Sequence, residues 1–314
     1  MLSRLFGLSC DNLVEVEVVL SSGDIVRAKD ENDYWDLIAG IRGIGNCELG
    51  VCTEFVFEIH EITKCIGGSL NQFCPTSASL SIYLTSWSRW VESAPSHIQS
   101  ILYIPCGSFF ISAIGMLINP PLLNLSDESL LKDLREFLEL NGSWHIEGAN
   151  TIKRRDYHCD IQKLASTSGF KNNSITTGIC LKDMSPNVIR TLVNFTRTDY
   201  PNSSSSIKII NLSEKVRVGH KDRPSCVKYR SNRYWVLIES VHNSEQDLEL
   251  GKHWIMRFKQ EVLKFCKAPS PSHPFFDGVT SREQLQMLTK EQEIDEFLKE
   301  AVQKYDSIKL FSCD

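Results

Sequence analysis

The residue types able to hold or transform a ligand are few in this chain. An Asp11-Asn12 pair follows a short apolar run, and a glycine-containing loop runs from Arg42 to Gly50. Asp and Asn side chains close tight turns by hydrogen-bonding nearby backbone. Glycine lets the main chain pass close to a flat ligand and take positive φ without a side-chain clash. Both patterns also occur in plain turns, so residue type alone marks backbone geometry here rather than chemistry. His145, His158 and His220 stand singly, and a lone histidine is more often a surface or hydrogen-bonded residue than a ligand. Glu15 and Glu17 alternate on one strand face, the pattern of a solvated face and not of a paired acid and base. The eleven cysteines contain no Cys-x-x-Cys pair, so no metal is expected. The Gly-x-Ser-x-Gly, P-loop and Gly-x-Gly-x-x-Gly patterns are missing, which removes the minimal geometry of hydrolase, nucleotidase and nicotinamide-dependent readings.

The elements that must carry these residues begin with strands. Leu13 to Leu20 and Ile25 to Ala28, joined by Ser21-Ser22-Gly23-Asp24, read as a hairpin with one buried and one wet face. Glu31 to Ile41 reads as a short helix and Val51 to Ile59 as a further strand. From about Thr63 strands and helices alternate: a strand at Leu80 to Ser86, a helix from Trp87, and two strands, Gln99 to Tyr103 and Phe109 to Ile118, meeting near Gly107. Helices follow at Ser126 and at Ser185-Pro186, where Val188, Ile189, Leu192 and Val193 form an apolar stripe. Tyr234 to Ser240 is a β-prone run and Leu248 to Phe265 a long amphipathic helix. The proline-rich Ala268 to Pro274 predicts a linker, after which Glu283 to Tyr305 is helical, with Ile294, Phe297, Leu298 and Val302 able to dock. This mixture predicts an α+β fold, with an antiparallel sheet backed by helices.

The chain has 314 residues, a net charge of −5 and a pI near 5.9. Phosphate binding needs a concentrated basic surface, so neither nucleic acid nor an anionic membrane is expected as a partner. The longest apolar stretch, Ser108 to Leu123, is interrupted by Asn119-Pro120-Pro121 and falls short of the roughly 20 residues that cross a bilayer. Six Asn-x-Ser/Thr sequons, at Asn124, Asn141, Asn172, Asn194, Asn202 and Asn211, exceed the roughly two expected by chance and lean toward a secretory lineage. A Ser- and Asn-rich loop region accounts for them equally well. The first residues lack the long apolar core of a signal peptide.

Residues Leu2 to Leu13, Leu-Ser-Arg-Leu-Phe-Gly-Leu-Ser-Cys-Asp-Asn-Leu, resemble the L-S-R-x-x-G-L-x-x-D-N-L segment of the berberine bridge enzyme-like FAD-linked oxidases, in the vanillyl-alcohol oxidase group with its PCMH-type FAD-binding domain. Three more blocks follow in order. Val14 to Gly23 is similar to the family's V-E-V-V-T-A-D-G strand and turn, Asp36 to Gly43 to its D-L-F-W-A-L-R-G, and Gly43 to His60 to its glycine loop and F-x-F-x-L-H strand. Weaker similarities continue at Asp156-Tyr157 to Gln162, at Gly219-His220-Lys221, which resembles a P-H-R step, and at Lys304-Tyr305-Asp306.

The resemblance implies part of a PCMH-type FAD-binding domain at residues 1–60, an α+β substrate domain at 61–268, and a C-terminal helical segment, 275–314, packing on the FAD module. It implies FAD as cofactor, with Gly7, Asp11, Asn12, Gly50 and Val51 as candidate lining, and Tyr157 and His220 as substrate-side candidates. The implied activity is an oxidase-type, FAD-dependent hydride transfer from a small organic alcohol, sugar or amine, with oxygen as acceptor. The resemblance also predicts that the cofactor-attaching half of such an enzyme precedes this segment, so that the chain alone purifies colourless. The chain departs from the family pattern where cofactor would touch: Ile44, Asn46 and Cys47 replace glycines, and His273 to Asp277 reads His-Pro-Phe-Phe-Asp where Y-x-N-Y is usual. These departures motivate the alternative, a non-catalytic degenerate oxidase homologue that binds a ligand or partner.

Overall fold

A computed structural model describes residues 2–44, 48–62, 64–119, 153–156, 173–212, 214–220, 222–265 and 292–311. In chain order the described elements are α1 (Ser3–Phe6), β1 (Leu13–Val19), β2 (Ile25–Lys29), α2 (Trp35–Ile44), β3 (Val51–Phe57), β4 (Lys64–Phe73), α3 (Ser77–Ser93), β5 (Ile98–Pro105), β6 (Phe110–Asn119), β7 (Lys153–Arg155), β8 (Ser174–Leu181), α4 (Pro186–Arg197), β9 (Ser206–Asn211), α5 (Glu214–Val218), β10 (Tyr234–Val241), α6 (Glu245–Leu263) and α7 (Gln292–Tyr305). The chain divides into two compact units. One joins Leu2–His60, Ser213–Ser231 and Thr280–Asp314, and the other joins Glu61–Leu212 and Asn232–Val279. Antiparallel sheets and helices in both make the fold α+β, as the sequence pattern predicts.

In the first unit, β1 pairs antiparallel with β2 on one side and β3 on the other. The hairpin turn closes through Leu20 N–H donating to Asp24 O at 2.9 Å, with Gly23 at φ +89°, the conformation that glycine supplies without a Cβ clash. Val16, Val18, Val26 and Ala28 turn one face inward onto Leu37 and Ile38 of α2. On the opposite face Arg27 bridges Glu15, Glu17 and Glu54, so the alternating glutamates are solvated partners of an arginine.

Two sequence-distant pieces complete this core. From α7, Ala301 and Tyr305 enter the same cluster, Tyr305 Oη donates to Asp36 at 2.5 Å, and Lys304 Nζ lies 2.7 Å from the same carboxylate. From the 213–231 segment, Cys226 N–H donates to Ala39 O at 3.2 Å. The α2 backbone runs so close at that point that a Cβ on Gly43 would sit 2.2 Å from Cys226 C. Arg42, fully buried, donates to Leu13 O at 2.6 Å and Pro224 O at 3.3 Å and pairs with Asp30.

The second unit is a seven-stranded antiparallel sheet in the order β7-β4-β6-β5-β9-β10-β8. Helices α3, α4 and α6 cover one face, packing Leu80, Leu84, Trp87, Leu192, Trp254 and Phe258 onto Leu102, Ile104, Ile207, Ile209, Val236 and Ile238. The expected strand at Leu80 to Ser86 is helical. Thr76 and Ser79 form a reciprocal capping box, and Leu80, Tyr83, Leu84, Trp87 and Val91 recur at three- and four-residue steps along one buried face of α3, a local pattern that overrides the β-branched look of the run. The sequon residue Asn202 donates from Nδ2 to Val241 O at 2.7 Å and accepts from Ser204 and Ser205, so its amide is committed to a turn.

Two predictions follow from the packing of the first unit. Gly43→Ala forces a Cβ into Cys226 backbone, which cannot yield like a side-chain tip, and is expected to cost about 2–3 kcal/mol and to speed amide exchange across 213–231. Asp36→Asn is expected to lower stability by about 1 kcal/mol and to speed exchange in α7. Burial opposes the charge of Asp36, yet the hydrogen bonds from Lys304 and Tyr305 hold its carboxyl below the usual range. The same pairing pushes Lys304 up, and burial together with Asp36 takes Tyr305 to about 12. The Asp36 contribution is therefore present above the ordinary carboxylate range and lost as acid titrates it, while the Lys304 contribution is lost in strong alkali. An acid limb of the stability profile that is unchanged in Asp36→Asn would contradict this assignment.

Candidate functional site

Three of the predicted cofactor-side residues, Gly7, Asp11 and Asn12, gather in the first unit around the Asp11 carboxylate. Asp11 has a 3% exposed side chain and pairs with Arg230 Nη2, while Arg230 Nη1 lies 3.3 Å from its other oxygen. The same Oδ2 accepts from Leu8 N–H at 2.8 Å. Arg230 also donates to Val216 O and Ser225 Oγ, so the 213–231 segment is tied to the turn before β1. Gly7 has φ +81°, and a Cβ there would stand 2.7 Å from Asp11 Oδ2. Its glycine identity is thus required by the ion pair beside it.

Asn12 is equally committed. Its amide donates to Phe6 O at 3.1 Å and Leu8 O at 2.8 Å, which turns Oδ1 toward His60 Nε2 at 2.6 Å, and the His60 ring stacks on Phe6 at 4.1 Å. With both amide protons already donated, Asn12 accepts from the imidazole N–H. Next to it, Arg223 donates to Asp11 O and pairs with Glu58, holding that carboxyl below its usual range. His220 bridges Arg223 in a β-type pair and accepts from Asp222 N–H through Nδ1 at 3.3 Å. Its segment therefore belongs to the unit that carries Asp11.

Gly50 and Val51 lie at the start of β3. Gly50 adopts φ +146°, and a Cβ would fall 2.6 Å from Val18 Cγ1 and 2.7 Å from Val19 O. Val51 is 51% exposed, and Phe55 and Phe57 stand beside each other, with rings 6.2 Å apart, on the same strand. Since β3 is the edge of its described sheet, main chain and apolar side chains are presented together along it. Tyr157, the glycine replacements Asn46 and Cys47, and His273 to Asp277 lie outside the described residues. Among the described residues no cluster of metal-ligating side chains occurs and no helix is long and apolar enough to cross a membrane.

A second polar constellation escaped the sequence reading. On the face of the seven-stranded sheet away from α3, α4 and α6, β4, β6, β5 and β9 place Asn71, Ser112, Tyr103 and Lys208 directly opposite one another in register. In the neighbouring row Ser206, Glu239 and Thr176 are opposite one another. Ser112 Oγ donates to Asn71 Oδ1 at 2.5 Å. Lys208 Nζ lies 3.6 Å from Glu239 Oε2 and 5.9 Å from the centre of the Tyr103 ring, and Ser206 Oγ donates to Glu239 at 3.4 Å. Burial raises the Tyr103 phenol above its ordinary value. The available signal was the alternation Ser206-Ile207-Lys208-Ile209, an apolar face against a polar one within a run that ends a serine-rich loop.

No protein-family model matches the chain. It is 24% identical over 275 residues to an FAD-linked oxidoreductase of Dictyostelium discoideum, an alignment that covers 84% of this chain and 55% of that protein. Among solved structures, a chitooligosaccharide oxidase superposes with a TM-score of 0.82 at 18% identity over 99% of this chain and 67% of its own. The BBE-like 1 protein of Physcomitrella patens superposes with a TM-score of 0.79 at 17% identity, covering 99% and 66%. The chain spans about half the length of the Dictyostelium relative and about two thirds of each solved chain.

The buried pair at the turn before β1 generates a prediction. Asp11→Asn keeps the acceptor for Leu8 but leaves Arg230 without its carboxylate, and is expected to cost about 3 kcal/mol in urea melts. Arg230→Met, which removes the charge as well, is expected to restore part of that loss when combined with it. In sequence the chain is thus similar to FAD-linked oxidoreductases, and its fold is that of the berberine bridge enzyme-like and oligosaccharide oxidases.

Proposed function

We propose that the protein is an FAD-dependent oxidoreductase of the oxidase type, taking hydride from a small organic alcohol, sugar or amine with oxygen as acceptor. The observation that carries this reading is agreement between two independent signals: an FAD-linked sequence relative aligned over most of the chain, and an oxidase fold superposed over nearly all of it. FAD supplies the redox chemistry when bound; the protein orients and tunes it.

In this reading Gly50, Val51 and the exposed start of β3 lie against the cofactor. They suit a flat, partly apolar group, because the edge strand offers main-chain hydrogen-bonding groups beside half-exposed Val51. Gly7, Asp11 and Asn12 act at the other end of β1 from Val51. Their polar atoms are engaged with one another, with Arg230 and with His60, so they fix the turn that leads into β1, the strand on which β3 is registered. In this reading residues 2–60 together with 213–231 form the cofactor side and the rest of 61–268 the substrate side, with α7 bracing the former. Tyr157 and His220 remain proton-transfer candidates by resemblance.

The test uses the natural full-length gene product. It is expected to retain FAD on purification or to take it up on titration, and to release peroxide with at least one compound from a panel of alcohols, sugars and amines. Val51→Asp, at a half-exposed position, should weaken FAD binding by about tenfold with an unchanged melting temperature. A product that takes up no flavin under any condition would overturn the reading in favour of a non-catalytic ligand-binding homologue.

A further inference from the structure

Gln72 sits on the face of β4 that packs under the helices. Its neighbours on that face, Leu70 and Cys74, belong to the apolar core, yet Gln72 places a carboxamide there at 7% exposure. Nε2 makes one long bond, to Phe73 O at 3.4 Å, and Oε1 accepts none among the described residues. Tyr83, 5% exposed on the buried side of α3, is in the same condition, its hydroxyl without a partner among the described residues. A buried amide or phenol left in that state costs stability. Both groups line one cavity of about 330 Å³ between the end of β4 and the first turns of α3. Phe73, Pro75 and Ile82 supply its apolar wall, and among the described residues that line it none is charged. The Phe110 ring, 5.1 Å from that of Phe73, and the exposed Ile82 extend the apolar surface outward. Arg197, beside Cys74, directs its terminal nitrogens to the Cys74 and Ser108 carbonyls and lies over the Phe109 ring. Burial pushes the Cys74 thiol up to about 11, so it enters the wall as a neutral group.

We propose that this cavity binds an uncharged aromatic alcohol, its rings against Phe73, Pro75 and Ile82 and its hydroxyl held between Gln72 and Tyr83. The site lies on the other face of the sheet from Asn71, by strand alternation, and does not depend on the oxidoreductase reading. Three features select the ligand. The first is size: an apolar cavity of about 150 Å³ takes benzene, so this one has room for two fused rings. The second is the pair of open polar groups. A hydroxyl both donates and accepts, so one such group gives its proton to Gln72 Oε1 and receives one from Tyr83, completing both. A ketone can only accept, and a hydrocarbon does neither. The third is charge: with no counter-ion in the wall, a carboxylate or ammonium would lose its hydration uncompensated. Water satisfies the two polar groups but leaves the apolar wall wet, and covering that wall is what an aromatic ring adds.

The experiment titrates the full-length protein with naphthol, naphthalene and naphthoate, read by calorimetry. Naphthol is expected to bind about tenfold more tightly than either of the others. Tyr83→Phe, which removes one oxygen, and Gln72→Met, which keeps the side-chain length, should each weaken naphthol about fivefold and leave naphthalene unchanged. Dependence on these two residues separates this cavity from any flavin or substrate site, and it is expected in flavin-free and flavin-loaded protein alike. Should Gln72→Met fail to fold, Tyr83→Phe carries the test by itself. Absence of naphthol binding, equal binding of naphthalene, or a naphthol affinity that the folded variants leave unchanged overturns the proposal.

Discussion

The ion pair between Asp11 and Arg230 is the constraint on which the first unit rests. It joins residues 219 positions apart, and its carboxylate is almost wholly withdrawn from water. A buried carboxylate is tolerable only with its lone pairs occupied, and Asp11 meets that condition with the guanidinium on one side and Leu8 N–H on the other. Everything adjacent is shaped to keep it so. Gly7 gives up its side chain to leave room for Oδ2, Asn12 locks the backbone on both sides of the turn, and Arg223 and Arg42 bind the carbonyls of Asp11 and Leu13. The chain enters β1 at one angle as a result, and the register of β1 sets that of β3, where the exposed surface lies.

This arrangement explains how a three-stranded sheet of short strands holds a defined shape. Alone, β1, β2 and β3 would have one helix, α2, to cover them. Burial of Ala301 and Tyr305 from α7 and the close passage of Cys226 against Gly43 supply the remaining contacts. Each comes from a segment more than 160 residues away in sequence, so the unit forms only after long loops have closed, an entropy cost that local hairpins do not meet.

Much of this was legible beforehand, and what was not has a physical reason. The hairpin at Gly23, the strand Tyr234–Val241 and the capped helix from Ser185 carry short-range signals: a turn residue at positive φ, a β-branched run and a serine before proline. Gly7, Asp11 and Asn12 were recognised by similarity, but their partners were not, because nothing local to Asp11 specifies Arg230. The strand read at Leu80 to Ser86 failed because serine and threonine between apolar residues mimic a two-residue period, while the capping box at Thr76 and the position of Trp87 define the helix. The polar row on the second sheet was hidden more deeply. Asn71, Tyr103, Ser112 and Lys208 come from four strands and become neighbours only through register.

The two units use buried charge differently. Around Asp11 the bonds are short, numerous and mutually completing, and glycine is placed to exclude any further atom; such a node rigidifies and has no room for a ligand. Around Glu239 the ion pair is stretched, a hydroxyl opposite it has no partner, and the neighbouring phenol and hydroxyl groups are only half-buried. A buried polar group that a fold leaves unsatisfied is destabilising unless something else completes it. The completed cluster is therefore the part of the molecule that sets geometry, whereas the Glu239 row leaves the buried Thr176 hydroxyl without a partner.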